Sequence, residues 1–186
     1  LDVPLILDAD ALNCLAKIAI DGIDSNPEMY RREQPLVMTP HYRELSRLVA
    51  GDEVNDLGTA IAAAQKVVWA AGSDNLVVIA KGPTTAICGV ERVLLPLSGP
   101  ASLATAGSGD VLAGILAGTL ATMRDEMDRW ELLYSYAVAL HSYAGFAAAT
   151  EYGEKSVIAT DLIDLIGPAM DCLLYTSPSP RDPKTS

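Results

Sequence analysis

Apolar residues along this chain fall into short dense runs separated by stretches with helical spacing. Residues 4–8 form a brief apolar run ending in Asp8, which predicts a buried strand. Over residues 9–19, Leu12, Leu15, Ala16 and Ala19 share one helical face. Residues 21–34 are polar, contain Asn26-Pro27, and predict a loop. Further strands are predicted at 36–39, 76–80, 84–88 and 92–95, the last two around a turn at Gly89. A helix is expected to begin near residue 41, after Pro40, with Glu44 in its first turn. Asp56 as N-cap and Gly72 as a C-terminal stop frame a helix over 57–71. Residues 98–103, with Gly99-Pro100, predict a loop, and three more helices are expected over 110–123, 130–152 and 161–170. Strands that alternate with helices, followed by helices alone, argue for an α/β sheet covered by helices.

The bulk properties narrow the function classes. A chain of 186 residues, half of them apolar and a fifth charged, fits one globular domain. Its net charge of -11 disfavours nucleic acid as a partner, because phosphate backbones call for clustered Lys and Arg. Acidity does not exclude a phosphorylated small ligand, which backbone amides, one lysine and a metal ion can hold. Cys14, Cys88 and Cys172 are few and widely spaced, so neither a disulfide framework nor a zinc site is expected, and a reducing cytoplasm is the default location. The apolar stretch 111–120 is too short to span a bilayer and predicts a buried helix, so no membrane partner is expected. The chain opens on a strand-like run without a Met, from which we expect its beginning to be missing. Pro178, Pro180 and Pro183 among Ser, Thr and charge leave residues 173–186 with nothing to pack. That stretch is expected to be a disordered or artefactual tail, and 173–182 resembles translated sequencing-adapter read-through.

Candidate chemistry gathers at the ends of the predicted strands. In Ala104-Thr105-Ala106-Gly107-Ser108-Gly109-Asp110, small residues let the backbone turn tightly and approach a ligand. The helix that follows points free N–H groups and its positive dipole end at the turn, which suits phosphate. Asp110 either caps that helix or accepts a proton from a substrate hydroxyl. Gly114 and Gly118 inside the helix each cost ~1 kcal/mol relative to alanine, and close packing against a neighbour is the expected compensation. Lys81-Gly82, leaving a buried strand, either reaches nucleotide phosphates, helped by the hydroxyls of Thr84 and Thr85, or is an ordinary surface turn. His41 either touches substrate or caps local structure, and His141 in the alanine-rich helix reads as a core or surface histidine. Asp8, Asp10 and Asn13 lie where open α/β sheets place ligands. Asp8 and Asp10 face the same way only if the strand continues; a helix starting at Ala9 turns them apart.

Four motifs then occur in a telling order: Leu7-Asp8-Ala9-Asp10-Ala11-Leu12-Asn13, Thr39-Pro40-His41 with Glu44-Leu45, Lys81-Gly82 with Thr85, and Ala104-Thr105 through Gly109-Asp110-Val111-Leu112. Together they resemble the ADP- or ATP-dependent NAD(P)H-hydrate dehydratases, a ribokinase-like family. The similarity continues through His141-Ser142-Tyr143-Ala144-Gly145 to Ala159-Thr160-Asp161-Leu162-Ile163, covering roughly residues 1–171. The resemblance implies a central, mostly parallel sheet with helices on both faces, lacking the family's first strands, helices and an early glycine-rich substrate segment. Residues 1–172 would form this partial domain.

The resemblance also implies the chemistry. The terminal phosphoryl of ADP or ATP passes to the ring hydroxyl of the S-form of hydrated NADH or NADPH. Phosphate then leaves, restoring NAD(P)H and yielding AMP or ADP. Mg2+ would screen the nucleotide phosphates. By matching position, Asp110 would act as the catalytic base, and Asp110, His41 and Asn13 would contact the hydrate. Lys81, Gly82, Pro83, Thr84, Thr85, Gly107, Ser108 and Gly109 would contact the nucleotide, with the amides of 106–109 holding charge on the transferred phosphoryl. No protein metal cage is expected. Two departures stand out: Tyr42-Arg43 replaces the family's Pro-Gly after the histidine, and Ala106 replaces a usual glycine, which requires a negative φ there. The alternatives are a ribokinase-like kinase acting on a vitamin-precursor alcohol and an inactive nucleotide-binding fragment. The alanine-rich C-terminal helices offer a surface for a homo-oligomer.

Overall fold

A computed structural model of the chain describes residues 3–20, 30, 32–122 and 130–175. Five strands lie side by side in chain order: β1 Leu5–Leu7, β2 Leu36–Met38, β3 Leu76–Ala80, β4 Ala86–Cys88 and β5 Val93–Leu94. β1 pairs with β2 and β2 with β3 in parallel, whereas β3–β4 and β4–β5 are antiparallel. The sheet is therefore mixed, not mostly parallel. The reason lies in the connections: a parallel return needs a crossover of a dozen or more residues, and only residues 81–85 join β3 to β4.

Helices cover both faces. On one side lie α1 Asp10–Ile20, α2 Tyr42–Leu48 and α3 Leu57–Ala71. On the other lie α4 Ser108–Thr122, α5 Trp130–Tyr152, α6 Ala159–Asp164 and α7 Ile166–Tyr175. Strand side chains alternate between the two layers. Leu36, Met38, Leu76, Val78 and Ala80 pack with Leu12, Leu45 and Val68, while Val37, Val77, Ile79 and Ile87 pack with Leu112, Leu116 and Leu140. All five residues of β3 are buried, which is why it reads as an unbroken aliphatic run in sequence.

The expected caps are in place. The Asp56 carboxylate accepts from the Thr59 amide at 2.7 Å, and Gly72 closes α3 in the left-handed region at φ +60. The helix expected over 161–170 is instead two, α6 and α7, interrupted at Leu165. α7 runs on to Tyr175, three residues past the expected boundary at 172. Most of the loop expected over 21–34, and the tail from 176 onward, lie outside the described residues.

α5 is the central helix of its layer and buries ten residues, including Tyr134, His141 and Ser142. Leu103 lies against it so closely that a Cβ at Gly145 would sit 2.7 Å from the Leu103 Cδ2 atom. His141 ties α5 to the start of α4. Its Nε2 lies 3.0 Å from the Ser108 carbonyl oxygen and 3.1 Å from the Ser108 hydroxyl.

Burial pushes the His141 imidazole down to about 4; the hydrogen bond to Ser108 opposes the shift and the positive charge of Lys81 adds to it. The folded value lies below the ordinary 6.5, so the unfolded chain takes up the proton first as pH falls. Stability from this group is intact above about pH 6.5 and drains away toward pH 4. We therefore expect the parent protein to lose about 2 kcal/mol more than His141→Gln between pH 7 and pH 5. Urea unfolding at the two pH values checks this, and equal losses would remove His141 as the titrating group.

Candidate functional site

Because β1, β2 and β3 run the same way, Asp8, His41 and Lys81 all leave the sheet at one edge. The backbone holds them in register there. Thr39 donates its amide to the Leu7 carbonyl at 3.1 Å, and Lys81 donates to the Pro40 carbonyl at 2.7 Å. His41 and Lys81 form one further parallel bridge beyond the strands. β1 and β3 are separated by β2, roughly two strand spacings or about 10 Å. The long Lys81 side chain spans that gap: its Nζ lies 2.7 Å from Asp8 Oδ1, with both side chains mostly buried. This ion pair was not legible in the sequence as a pairing, although both partners stood out singly.

The turn before α4 arrives at the same place. Gly107 has φ +84, a conformation that glycine adopts at least cost. Ala106 is not in the left-handed region, so the methyl group that replaces the family's usual glycine is tolerated. A Cβ at Gly109 would lie 3.1 Å from Lys81 Nζ and 3.8 Å from Asp8 Oδ2, so the missing side chain is what lets the ammonium approach the helix N-terminus. The Ser108 amide is not free as expected: it donates to the Thr105 carbonyl at 3.3 Å. The amides of Ala106, Gly107, Gly109 and Asp110 take no acceptor among the described residues. Asp110 lies within the first turn of α4, exposed, and its carboxylate caps no helix amide. Between the two roles open for it, capping is removed.

His41 does cap. Its Nδ1 accepts from the amides of Arg43 and Glu44 at 3.1 and 3.2 Å, and Glu44 Oε2 accepts from the His41 amide at 2.9 Å. An Nδ1 that accepts leaves the hydrogen of a neutral ring on Nε2, and the side chain is half exposed. Ala9, at φ +47, separates β1 from α1 and turns Asp8 and Asp10 apart. Asp10 then accepts from Asn13 Nδ2 at 3.5 Å, and Asn13 Oδ1 accepts from Arg47 at 2.7 Å. No hydrogen bond joins Asn13 to Asp8, Lys81 or the α4 turn.

After Lys81 the loop is exposed at Gly82 and Pro83 and half-buried at Thr84 and Thr85. The Thr84 hydroxyl pairs with Ser98 at 3.3 Å. The Tyr42 ring lies directly over Gly82, so closely that any Cβ there would collide with it. On the far side of the turn, an apolar groove of about 810 Å³ opens beside Gly107 and Asp110 between α4, α5, α6 and α7. Gly114 and Gly118 line it with open space where a side chain would be, so the close packing expected to compensate them is absent. Among the described residues, no cluster of three or more His, Cys, Asp or Glu could hold a metal, and no helix is long and apolar enough to cross a membrane.

Comparison with known proteins extends these observations. A family described as NAD(P)H-hydrate dehydratase matches residues 1–168. The bifunctional NAD(P)H-hydrate repair enzyme Nnr of Salinibacter ruber is 39% identical over 172 residues, which take in 89% of this chain but 28% of that protein. The chain thus spans less than a third of this curated relative. Among solved structures, the ADP/ATP-dependent NAD(P)H-hydrate dehydratase of Bacillus subtilis, co-crystallised with ATP/Mg2+ and soaked with CoA, superposes with a TM-score of 0.73 at 28% identity. That match covers 92% of this chain and 57% of the other. A ribokinase-like superfamily protein from Enterococcus faecalis, at 24% identity and TM-score 0.66 over 91% of this chain and 52% of its own, shares the fold. The motifs, the sheet edge and the family match over residues 1–168 agree, and the chain belongs to the NAD(P)H-hydrate dehydratase family.

Proposed function

We propose that the chain carries the phosphoryl-transfer site of a dehydratase that uses ADP or ATP to restore hydrated NADH or NADPH. One observation carries this reading: four unpartnered amides lie in the turn that meets the Lys81 ammonium at Gly109, beside an exposed carboxylate that caps nothing. Amides aimed at a single point favour an anion, and most strongly one whose charge grows during reaction. Ala106, Gly107, Gly109 and Asp110 would supply them, whereas the Ser108 amide is committed to Thr105 and its buried hydroxyl to His141. Lys81 would meet the nucleotide phosphates from the strand side, and the loop through Gly82, Pro83, Thr84 and Thr85 would flank the nucleotide.

Asp110 would take the proton from the ring hydroxyl of the S-hydrate as that oxygen attacks the terminal phosphorus. The nucleotide leaves as AMP or ADP. Loss of phosphate together with a ring proton then restores the dihydronicotinamide. His41, with half its side chain exposed, would turn its Nε2 hydrogen from Glu44 Oε1, 3.5 Å away, to the hydrate. Asn13 supports this wall only if its oxygen leaves Arg47, so we assign it a weaker role at the α1–α2 contact.

The donor set also bears on the metal. Asp8 is paired with Lys81 at 2.7 Å, and Asp110 is exposed in the first turn of α4. That fits Mg2+ carried on the nucleotide phosphates, with few protein ligands. When bound, the ion neutralises phosphate charge during transfer.

The direct test follows restored absorbance of the reduced nicotinamide when S-hydrate, ADP or ATP, and Mg2+ are supplied to the full-length protein. A persistent phosphorylated alcohol without restored absorbance would point to a kinase and overturn the proposal. Asp110→Asn should keep nucleotide binding while lowering turnover by about 10²–10⁴-fold; near-normal turnover would remove Asp110 as the base. Lys81→Ala should weaken ADP binding by roughly 10–100-fold, the worth of a charge-assisted hydrogen bond. Titration calorimetry reads the change, and unchanged affinity would return Lys81 to a purely structural ion pair with Asp8.

A further inference from the structure

We infer that His141 is a positioning residue that fixes the geometry of the anion turn by holding Ser108 through both its backbone and its side chain. The role rests on the reading of that turn as a phosphate site, although the contact itself does not.

A carbonyl oxygen only accepts, so at 3.0 Å from the Ser108 carbonyl the His141 Nε2 must carry the proton. The Ser108 hydroxyl oxygen, 3.1 Å from the same nitrogen, shares that hydrogen as a second acceptor. Its own hydrogen cannot go to Nε2 and is directed away from the ring. One buried N–H thus fixes the orientation of the Ser108 peptide and the rotamer of its side chain. The hydroxyl itself stays buried against the ring.

The position of Ser108 explains why that matters. It stands between Gly107, at φ +84, and Gly109, whose Cα faces the Lys81 ammonium. Glycine has the widest backbone freedom of any residue, and here two of them flank a single side chain. Thr105 holds the Ser108 amide locally; the His141 contact adds a restraint from outside the turn, and without it the free amides on either side would be less ordered, at a cost to ligand binding. His141 lies 33 residues further on, in the buried helix α5, so the restraint comes from a rigid part of the core.

Two substitutions separate this role from simple packing. In His141→Gln the side-chain amide reaches about as far as Nε2 and keeps a donor for Ser108. His141→Asn keeps a buried amide that is too short. Backbone order in the unliganded full-length protein, read by nitrogen relaxation at residues 107–110, should match the parent in the Gln variant and fall in the Asn variant. ADP affinity with Mg2+ should follow: about tenfold weaker for Asn and within about threefold for Gln. Unchanged order and affinity in Asn, or equal impairment in Gln, would overturn the inference. Should the Asn variant fail to fold, the imidazole spectrum of the unmodified protein decides. A slowly exchanging hydrogen on Nε2 of His141 is expected, and a hydrogen on Nδ1 instead would overturn it. A parent that binds no ADP yet shows the expected relaxation pattern would sink the proposed function and leave the positioning role standing.

Discussion

Parallel pairing of β1, β2 and β3 is the constraint on which the candidate site depends. Strands that run the same way deliver their C-terminal ends to one edge, and open α/β sheets bind ligands along that edge. Asp8, His41 and Lys81 come from three separate parts of the chain and are brought to that edge by backbone register, with the Lys81 side chain reaching across to Asp8. α4 completes the arrangement by directing its N-terminus at the same point, held from below by α5. The antiparallel addition of β4 and β5 does not disturb this, because both strands lie beyond β3, at the opposite side of the sheet from β1.

Much of the fold was legible because the periodicities are clean and the punctuation is strong. Asp56 and Gly72 bound α3 as expected, since an N-cap carboxylate and a left-handed glycine act locally. The direction of strand pairing was less legible: hydrophobic runs carry no sign, and only connection length separates parallel from antiparallel. The interruption at Leu165 fits Pro168, whose ring would clash with the Asp164 carbonyl in a continuous helix, a signal that the helical spacing over 161–170 ran through.

At the site, individual residues were easier to read than their partners. Asp8 and Lys81 each drew notice at a strand end, yet their contact depends on a side chain leaning across an intervening strand. His141 was read as a core or surface histidine, and the structure buries it, but what it holds lies 33 residues away and is set by the packing of α5 on α4. The Ser108 amide, expected to serve a ligand, is drawn into a local turn with Thr105. For Gly114 and Gly118 the expected packing does not exist, and the structure gives no other compensation for their cost in a helix.

The Tyr42 ring over Gly82 has a mechanical consequence. Tyr42 is the first residue of α2, directly after His41, and Gly82 directly follows Lys81. Any side chain at residue 82 would meet the hydroxyl end of that ring, so loop and helix lie this close only because the α-carbon is bare. Enlarging residue 82 would therefore disturb both strand ends at once, the one bearing the histidine and the one bearing the lysine.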